Sequence, residues 1–263
     1  PWVRDAKFAN LGLFSELRWQ AAPSTLWVGG LRLDRAQAWD YRNPASTNKR
    51  DESALPSGFV RWEQTLASGA TTYVGLGHVQ RFPDFWETVG GNRFSETGNS
   101  AFHTRPEKTT QLDVGASWKG ERLSASVSAF YNRINDYILI RSTPAPAQVR
   151  NIDASSHGLE AALSYALAPQ WTLDASLAHV RGKNRTDGTA LAQQPPLEGK
   201  LGLNWNNGTW SAGALWRLAA RQDRVDIGKG NIAGQDIGPT PGFATLSLNG
   251  SYRLHKRVRV IAG

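Results

Sequence analysis

Apolar residues recur at every second position along most of the chain, which is the spacing of β-strands rather than of helices. In the stretch 111–118, for example, apolar side chains alternate with Gln, Asp, Gly and Ser. The same alternation recurs in the stretches 123–129, 159–165, 171–177, 197–205, 210–216 and 246–254. About twelve such segments occur, many longer than the ~5–6 residues of an ordinary strand. The chain is therefore predicted to be all-β, with antiparallel strands joined by hairpins.

Short and long connections alternate between these segments. The short connections fall at Ala21–Ser24, Ala67–Ala70, Lys119–Glu121, Ala168–Gln170, Asn206–Gly208 and His255–Lys256. The long polar ones fall at Asp40–Pro56, Phe82–Pro106, Asn184–Pro195 and Val225–Pro241, with a shorter one at Thr143–Ala147. Hairpins with two different ends are typical of outer-membrane barrels, which have tight periplasmic turns and long extracellular loops. We therefore predict an antiparallel transmembrane β-barrel.

A set of aromatic residues lies close to the short turns, on the side of the strands that carries the apolar residues. The set consists of Trp19, Trp118, Tyr165, Trp171, Trp205, Trp210 and Tyr252. In the alternative fold, a soluble β-sandwich, tryptophans that fill a core should lie in the middle of strands. A row of amphipathic rings at one rim is instead typical of the aromatic girdle at a membrane interface.

The side chains that alternate with the apolar ones are small or charged. The small ones include Gly115, Ser117, Ser124, Ser126 and Ser128, and the charged ones are Glu16, Arg18, Arg61, Glu63, Asp113, Asp174, Glu198, Lys200 and Arg217. Such a wall is predicted to face water or a plug domain inside a barrel. No apolar run approaches the ~18 residues of a membrane-spanning helix, which leaves open a barrel whose strands are apolar only at alternate positions.

The net charge of +8 could suit a nucleic-acid-binding protein, but Lys and Arg are scattered and form no dense basic run. We expect no nucleic-acid partner and attribute the charge to a channel lining or to contact with lipopolysaccharide. Ser residues lack the Gly-x-Ser-x-Gly context of a hydrolase nucleophile, and His103 with Glu107 is the one acid–base pairing near the rim. An enzyme is therefore not expected.

Several stretches go beyond alternation and resemble TonB-dependent receptors. Residues 77–87 (Gly-His-Val-Gln-Arg-Phe-Pro-Asp-Phe-Trp-Glu) are similar to the segment that enters a large extracellular loop in that family. Residues 105–115 (Arg-Pro-Glu-Lys-Thr-Thr-Gln-Leu-Asp-Val-Gly) resemble the strand that returns from the loop. The form Phe-Pro-Asp-Phe-Trp-Glu, and the stretches 148–154 and 193–198, are most similar to the TonB-dependent copper receptors. The resemblance covers nearly all of 73–263 and, more loosely, the residues before it.

The resemblance implies a bacterial outer-membrane barrel of about 22 strands with an N-terminal plug inside it. Energy would come from the TonB complex, which is contacted through a short box ahead of the plug. The chain starts at Pro1 and stops at Gly263 within an apolar alternation, so we expect 1–263 to be a partial barrel domain. It would hold roughly the tenth to the twenty-first strand, without the plug, the early strands or the closing strand. Outer-membrane lipid and lipopolysaccharide are further expected partners.

The implied function is TonB-energised uptake of a metal, with copper as the transported ligand and no cofactor within this chain. The alternatives are a receptor for a siderophore or another metal chelate, and a passive porin. Copper receptors of the family use Cys and Met ligands, and this chain contains neither residue. The remaining metal candidate is His103, in the longest loop, although no second ligand stands at a suitable spacing.

The aromatic residues Phe82, Phe85 and Trp86 lie at the start of the same loop. They are candidates for an aromatic lip that binds the ligand at the barrel mouth. The alternative is a hydrophobic anchor that packs the loop against the barrel, and the flanking Pro83 and Asp84 suit such a packed turn.

Overall fold

The structure, a computed structural model, describes residues 6–41, 50–88, 102–143, 148–231 and 234–263. Its elements are β1 (Ala6–Ala22), β2 (Thr25–Asp40), β3 (Arg50–Thr65), β4 (Thr71–Arg81), α1 (Phe85–Thr88), β5 (Glu107–Lys119), β6 (Leu123–Arg141), β7 (Gln148–Ala168), β8 (Trp171–Asn184), β9 (Glu198–Asn206), β10 (Trp210–Ala219), β11 (Lys229–Asn231), β12 (Gly234–Gln235), β13 (Phe243–His255) and β14 (Val258–Ala262). None of the helical residues in these ranges forms a helix long and apolar enough to cross a membrane.

The strands form one antiparallel sheet in which each long strand pairs with the next one along the chain. The main path runs from β1 to β10 and then through β13 and β14, which makes twelve strands. The predicted all-β class, the antiparallel arrangement and the strand number are therefore confirmed. β11 and β12 form a small hairpin inside the connection between β10 and β13. Within the described residues β1 and β14 do not pair with each other, so the sheet is an open part of a barrel wall.

The alternation of short and long connections is also confirmed, but one boundary was predicted wrongly. The stretch 40–56 was expected to be a loop, whereas β3 begins at Arg50 and pairs with β2. Pro56 is unusual within a strand because proline cannot donate a hydrogen bond within a sheet. The strand accommodates it because β4 pairs with β3 only from Gly58 onward, so Pro56 has a paired strand on one side alone.

The register between strands keeps residues of the same kind together. Trp62 lies opposite Val74, and the row continues across the sheet through Val114, Ala129 and Leu159. We call this side of the sheet the apolar face and the other side the polar face. Many leucines of the apolar face are strongly exposed, such as Leu13 at 80%. Exposing apolar surface to water costs about 25 cal/mol per Å². The cost disappears where the apolar face contacts the hydrocarbon of a membrane.

Most buried apolar side chains of the described residues lie toward the end of the sheet that carries the long connections, which we call the mouth. Many of them form three small clusters: Ile134, Leu139, Ile152, Ala154 and Leu191; Ile138, Ile140 and Val149; and Ala38 with Phe102. A wall one strand thick encloses no layered core, so the packed apolar contacts arise where connections fold onto the strand ends.

An irregularity in β6 changes which side chains face the interior at the mouth. The register shifts between Ile134 and Tyr137, and Asp136 adopts a positive φ of 58°. The backbone carbonyl of Asp136 accepts a 2.7 Å hydrogen bond from Asn151 Nδ2, and its carboxylate accepts a 2.8 Å hydrogen bond from Arg105 Nε. Such a bulge re-aims the residues beyond it. Tyr137 therefore lies on the polar face, where simple alternation would not place it.

Candidate functional site

The polar face carries the charged side chains that alternation predicted, and the register confirms that they share one side. Several are paired with each other. Arg61 contacts Glu63 at 2.8 Å, while Arg217 and Lys200 both contact Glu198, at 2.5 and 3.0 Å. Because opposite charges on neighbouring positions neutralise each other, the charge of Arg61 is compensated by Glu63, whereas the group around Glu198 keeps one net positive charge.

A cavity of about 710 Å³ opens along the polar face between β5 and β10. Small polar side chains line much of it, including Ser117, Ser126, Ser164 and Ser176, together with Asp174. The position of this hollow identifies the polar face as the concave side of the sheet. Small hydroxyl side chains leave space above the wall, as expected for the interior of a wide barrel that holds water or another domain.

The connection after β4 is fixed at its base by a buried carboxylate. Glu87, which is 3% exposed, accepts hydrogen bonds from Arg81 Nη1 and Nη2 at 2.8 and 3.0 Å. It also accepts the backbone N–H of Asp84 at 2.9 Å, and Asp84 Oδ1 accepts the N–H of Glu87 at 2.9 Å. Arg81 additionally contacts Glu107 at 3.2 Å. One guanidinium therefore joins the strand that enters the loop to the strand that leaves it.

The three aromatic residues proposed for the ligand lip occupy different environments. Phe82 and Phe85 pack against the small buried cluster at the mouth above β2. The ring of Phe85 also meets that of Phe8 on β1, with 6.0 Å between centroids. Trp86 is 56% exposed and touches Phe85 edge-on at 5.2 Å. The geometry favours an anchoring role for the two phenylalanines and presents Trp86 at the surface of the mouth.

The candidate metal residue His103 is exposed in the same connection, just before Pro106. Across the described ranges, no group of three or more His, Cys, Asp or Glu side chains is close enough to hold a metal ion. The residues 89–101 of this loop lie outside the described ranges. A metal-binding role for His103 therefore stays a prediction that rests on its position in the loop.

Two connections and the end of one strand meet at a polar cluster that the sequence pattern did not predict. Asp187 forms an ion pair with Arg150 of β7 and accepts a 2.8 Å hydrogen bond from Asn184 Nδ2. Lys229 of β11 lies 3.7 Å from the same carboxylate and 2.9 Å from Asp226. Partial burial acts to raise the pKa of Asp187, but Arg150, Asn184 and Lys229 outweigh it, so the pKa lies below its ordinary value. The cluster ties the loops after β8 and β10 to the end of β7.

The aromatic residues predicted to form the girdle lie near the short turns, on the apolar face. Trp171 is opposite Trp205, and Trp210 is opposite Tyr252, with ring centroids 6.4 and 4.2 Å apart. The indole N–H of Trp205 donates to Gln170 Oε1 at 3.0 Å. The ring of Trp205 lies on the apolar face, and its polar N–H forms a hydrogen bond near a turn. This arrangement is typical of an aromatic ring at a membrane interface.

Two further tryptophans extend this row and were missed. Trp19 lies opposite Trp27, which in turn lies opposite Trp62. The indole N–H of Trp118, on β5, donates to the backbone carbonyl of Ser68 at 3.1 Å. The alternation in β2 and β3 contains the signal that would have found Trp27 and Trp62. The girdle role of the whole set stays a prediction.

Comparison with known proteins decides the family. The family model described as TonB dependent receptor-like, β-barrel, matches residues 1–263. This chain belongs to the TonB-dependent receptor β-barrel family. Barrels of TonB-dependent receptors are outer-membrane proteins, so the sheet is part of an outer-membrane wall. Because such barrels have long loops on the outside, the mouth is the extracellular end of this TonB-dependent receptor barrel.

Solved structures of TonB-dependent receptors match most of the chain. The copper transporter OprC is 44% identical with a TM-score of 0.93, over 99% of this chain and 41% of that one. The ferric-catecholate import receptor Fiu from E. coli K12 is 16% identical, with a TM-score of 0.69, over 95% and 39%. The FrpB iron transporter from Neisseria meningitidis is 16% identical, with a TM-score of 0.73, over 94% and 39%. The two iron proteins show the fold alone. The chain spans about two-fifths of each matched structure.

Proposed function

We propose that the protein containing this barrel takes up copper across the outer membrane with energy from the TonB complex. The observation that carries the proposal is the 44% identity to the copper transporter OprC across 99% of the chain. Identity to the iron receptors is only 16% over comparable lengths. Because a shared fold alone does not decide what a protein binds, this difference in identity is what favours copper.

The ligands that select copper are proposed to lie outside these residues. Thiolate and thioether sulfurs favour Cu(I), and the chain has no Cys and no Met. Within the chain, the loop between β4 and β5 is the proposed contact for the arriving metal or its carrier. Trp86 is exposed at its start and His103 near its end, while the ion pairs of Arg81 hold its base.

The remaining partners follow from the same proposal. We infer that TonB and the interior plug are contacted through parts of the protein beyond this chain. The wall of paired charges and small polar side chains on the polar face suits contact with a folded plug and with water. Outer-membrane lipid and lipopolysaccharide would surround the apolar face. We infer no catalytic activity, and an esterase and protease assay of the purified protein should show no turnover.

The experiment that tests copper uptake is calorimetry on the full-length protein under reducing conditions. Cu(I) should bind tightly and selectively, whereas Zn²⁺ and a ferric chelate should not. His103→Ala should weaken Cu(I) binding by roughly tenfold, the lower end of the effect of a supporting residue at a metal site. The matched control is His255→Ala, which lies at a short turn at the opposite end of the barrel and should leave binding unchanged. Equal binding by both variants would remove His103 from the site.

A receptor for a siderophore or another metal chelate is the second candidate, because Fiu and FrpB share the fold at TM-scores of 0.69 and 0.73. Binding of a ferric chelate without Cu(I) binding would move the assignment there. A passive porin is the third candidate. Uptake by a porin would continue in cells that lack TonB, whereas uptake by a receptor would stop.

A further inference from the structure

A group of basic side chains lies on the apolar face at the extracellular end of β8 and at the adjoining positions in the middle of β6 and β7. Arg133 is opposite Ser155, which is opposite Lys183. In the neighbouring row, one step closer to the short turns, His157 is opposite Arg181. All four basic side chains are exposed. We call Arg133, His157, Arg181 and Lys183 the basic rim cluster.

The basic rim cluster is separated from the aromatic rim by about the thickness of the membrane hydrocarbon. Along β8, the path from Trp171 to Arg181 rises roughly 34 Å at about 3.4 Å per residue. A strand tilt of about 45° reduces this to roughly 24 Å along the membrane normal, close to the ~25 Å apolar band of outer-membrane barrels. Between the two ends the same face of β8 carries Leu173, Ala175 and Leu177. The cluster therefore lies at the level of the outer-leaflet headgroups.

The charge of the basic rim cluster is not compensated by the protein in the part that the structure describes. There, no Asp or Glu forms an ion pair with Arg133, Arg181 or Lys183. The next residue outward on this face of β7 is Asp153, and its carboxylate accepts a 3.3 Å hydrogen bond from Asn135.

Several other basic side chains at the mouth form ion pairs. Arg105 and Lys108 contact Asp136 at 2.5 and 3.2 Å, and Arg150 pairs with Asp187. Next to the cluster, the Nδ1 atom of His179 is buried without a hydrogen-bond partner among the described residues. A local excess of donors and positive charge on the lipid side of the wall calls for an anionic ligand from outside the protein.

We propose that the basic rim cluster binds the phosphate groups of lipopolysaccharide in the outer leaflet. Arg133 and Arg181 can each bind a phosphate with two parallel hydrogen bonds, and Lys183 adds a point charge. Tyr131 lies opposite His157 and is 46% exposed, so it supplies an amphipathic ring at the same depth. The proposal rests on the proposed function only in taking the barrel as an outer-membrane receptor. It holds equally for a copper receptor and for a receptor of another chelate.

The test measures binding of lipid A by the full-length protein in detergent, with lipid A stripped of its phosphates as the comparison. The triple variant Arg133→Ala, Arg181→Ala, Lys183→Ala should bind lipid A about 100-fold more weakly, because each basic side chain at an anionic surface contributes roughly fivefold. The parent should bind the stripped lipid about as weakly as the triple variant binds lipid A. The variant Arg133→Lys, Arg181→Lys keeps the charge but loses the paired hydrogen bonds of the guanidinium groups, so its affinity should lie between those of the parent and the triple variant.

A matched control removes the same charge from the opposite rim. Arg122→Ala, Lys256→Ala, Arg257→Ala lie in or beside the short turns, and this control should bind lipid A like the parent. An equal loss in the control, or equal affinity of the parent for lipid A and its stripped form, would overturn the proposal. Full affinity in the triple variant would overturn it as well.

Cu(I) titration of the same samples separates this proposal from copper uptake. The triple variant should lose lipid A binding and keep the metal affinity of the parent, because the cluster faces away from the interior. A parent protein that binds no Cu(I) yet binds lipid A through the cluster would refute the cargo assignment and leave the lipid site standing. Folding of each variant is checked in SDS, because a folded barrel resists unfolding by SDS until the sample is heated.

Discussion

The ring of Tyr73 on β4 lies over the backbone of Gly115, the residue directly opposite it on β5. A Cβ atom added at Gly115 would come within 2.5 Å of Cε1 of that ring. The guanidinium of Arg61 lies 4.0 Å from the ring centroid, so the ring cannot move away without losing that contact. Glycine at such a point allows close approach of an aromatic side chain to a strand, a device that strengthens curved sheets.

Replacing Gly115 with alanine should therefore destabilise the barrel by about 1–3 kcal/mol, the usual range for overpacking. The measurement is urea-induced unfolding of the full-length protein in lipid vesicles. Gly75→Ala is the control. A Cβ atom added there would lie 3.8 Å from its nearest neighbour, the backbone carbonyl oxygen of Val60 on the adjacent strand. Its unfolding free energy should change by less than about 0.5 kcal/mol. Equal effects of both substitutions would contradict the packing argument.

The buried carboxylate of Glu87 makes a second prediction. Glu87→Gln keeps the shape of the side chain but removes the charge that faces Arg81 at 2.8 Å. A hydrogen bond to a charged group contributes about 2 kcal/mol, so the base of the loop should open more often. Limited proteolysis of the folded full-length protein between β4 and β5 should become at least several-fold faster.

The control for this loop is Glu52→Gln on β3. Glu52 is 46% exposed and pairs with Arg50 at 2.5 Å, and such surface pairs contribute only about 0–1 kcal/mol. Proteolysis of the loop after β4 should stay at the parental rate in this variant. An unchanged rate in Glu87→Gln as well would mean that Phe82 and Phe85 hold the loop without the ion pair.

The loop cluster around Asp187 predicts a dependence on pH. Because the folded-state pKa of Asp187 lies below its ordinary value, its pairing with Arg150 contributes stability above about pH 4. That contribution is lost as the pH falls through the lower folded-state pKa. The protection factors of the backbone amides at 184–191, which correct for the intrinsic pH dependence of hydrogen exchange, should therefore fall below about pH 4. In Asp187→Asn, protection should be lower at pH 7 and less dependent on acidification. A variant Asp187→Asn with the same pH profile as the parent would show that Asp187 does not cause the pH dependence of this loop.

Alternation and loop length were sufficient to predict the sheet because one rule repeats in every strand. A residue such as Glu16 or Asp174 needs only its position along a strand to be placed on the polar face. Alternation is not sufficient where a strand departs from the rule. The bulge at Asp136 moves Tyr137 to the other face, and Pro56 continues a strand that has lost one neighbour.

The contacts at the mouth follow no such rule, and only part of them could be predicted. The sequence pointed to Phe82, Phe85 and Trp86 as a group, but alternation carries no information about which rings pack and which stay exposed. Arg150 and Asp187 are 37 positions apart, and their contact depends on how the connection after β8 folds over the end of β7. Long-range pairs of this kind leave no periodic signal in one sequence.

The neighbouring residues Ser126 and Val127 on β6 allow a direct test of which face meets lipid. Val127 is on the apolar face and 44% exposed, while Ser126 lines the cavity on the polar face. Val127→Arg should destabilise the full-length protein in vesicles by about 2–4 kcal/mol, as a charge near the middle of the bilayer does. Leu123→Arg, level with Tyr165 at the aromatic rim, should cost only about 0–1 kcal/mol. Ser126→Arg should cost less than Val127→Arg, since water or a plug can solvate it. The reverse order for Ser126 and Val127 would show that the two faces are exchanged.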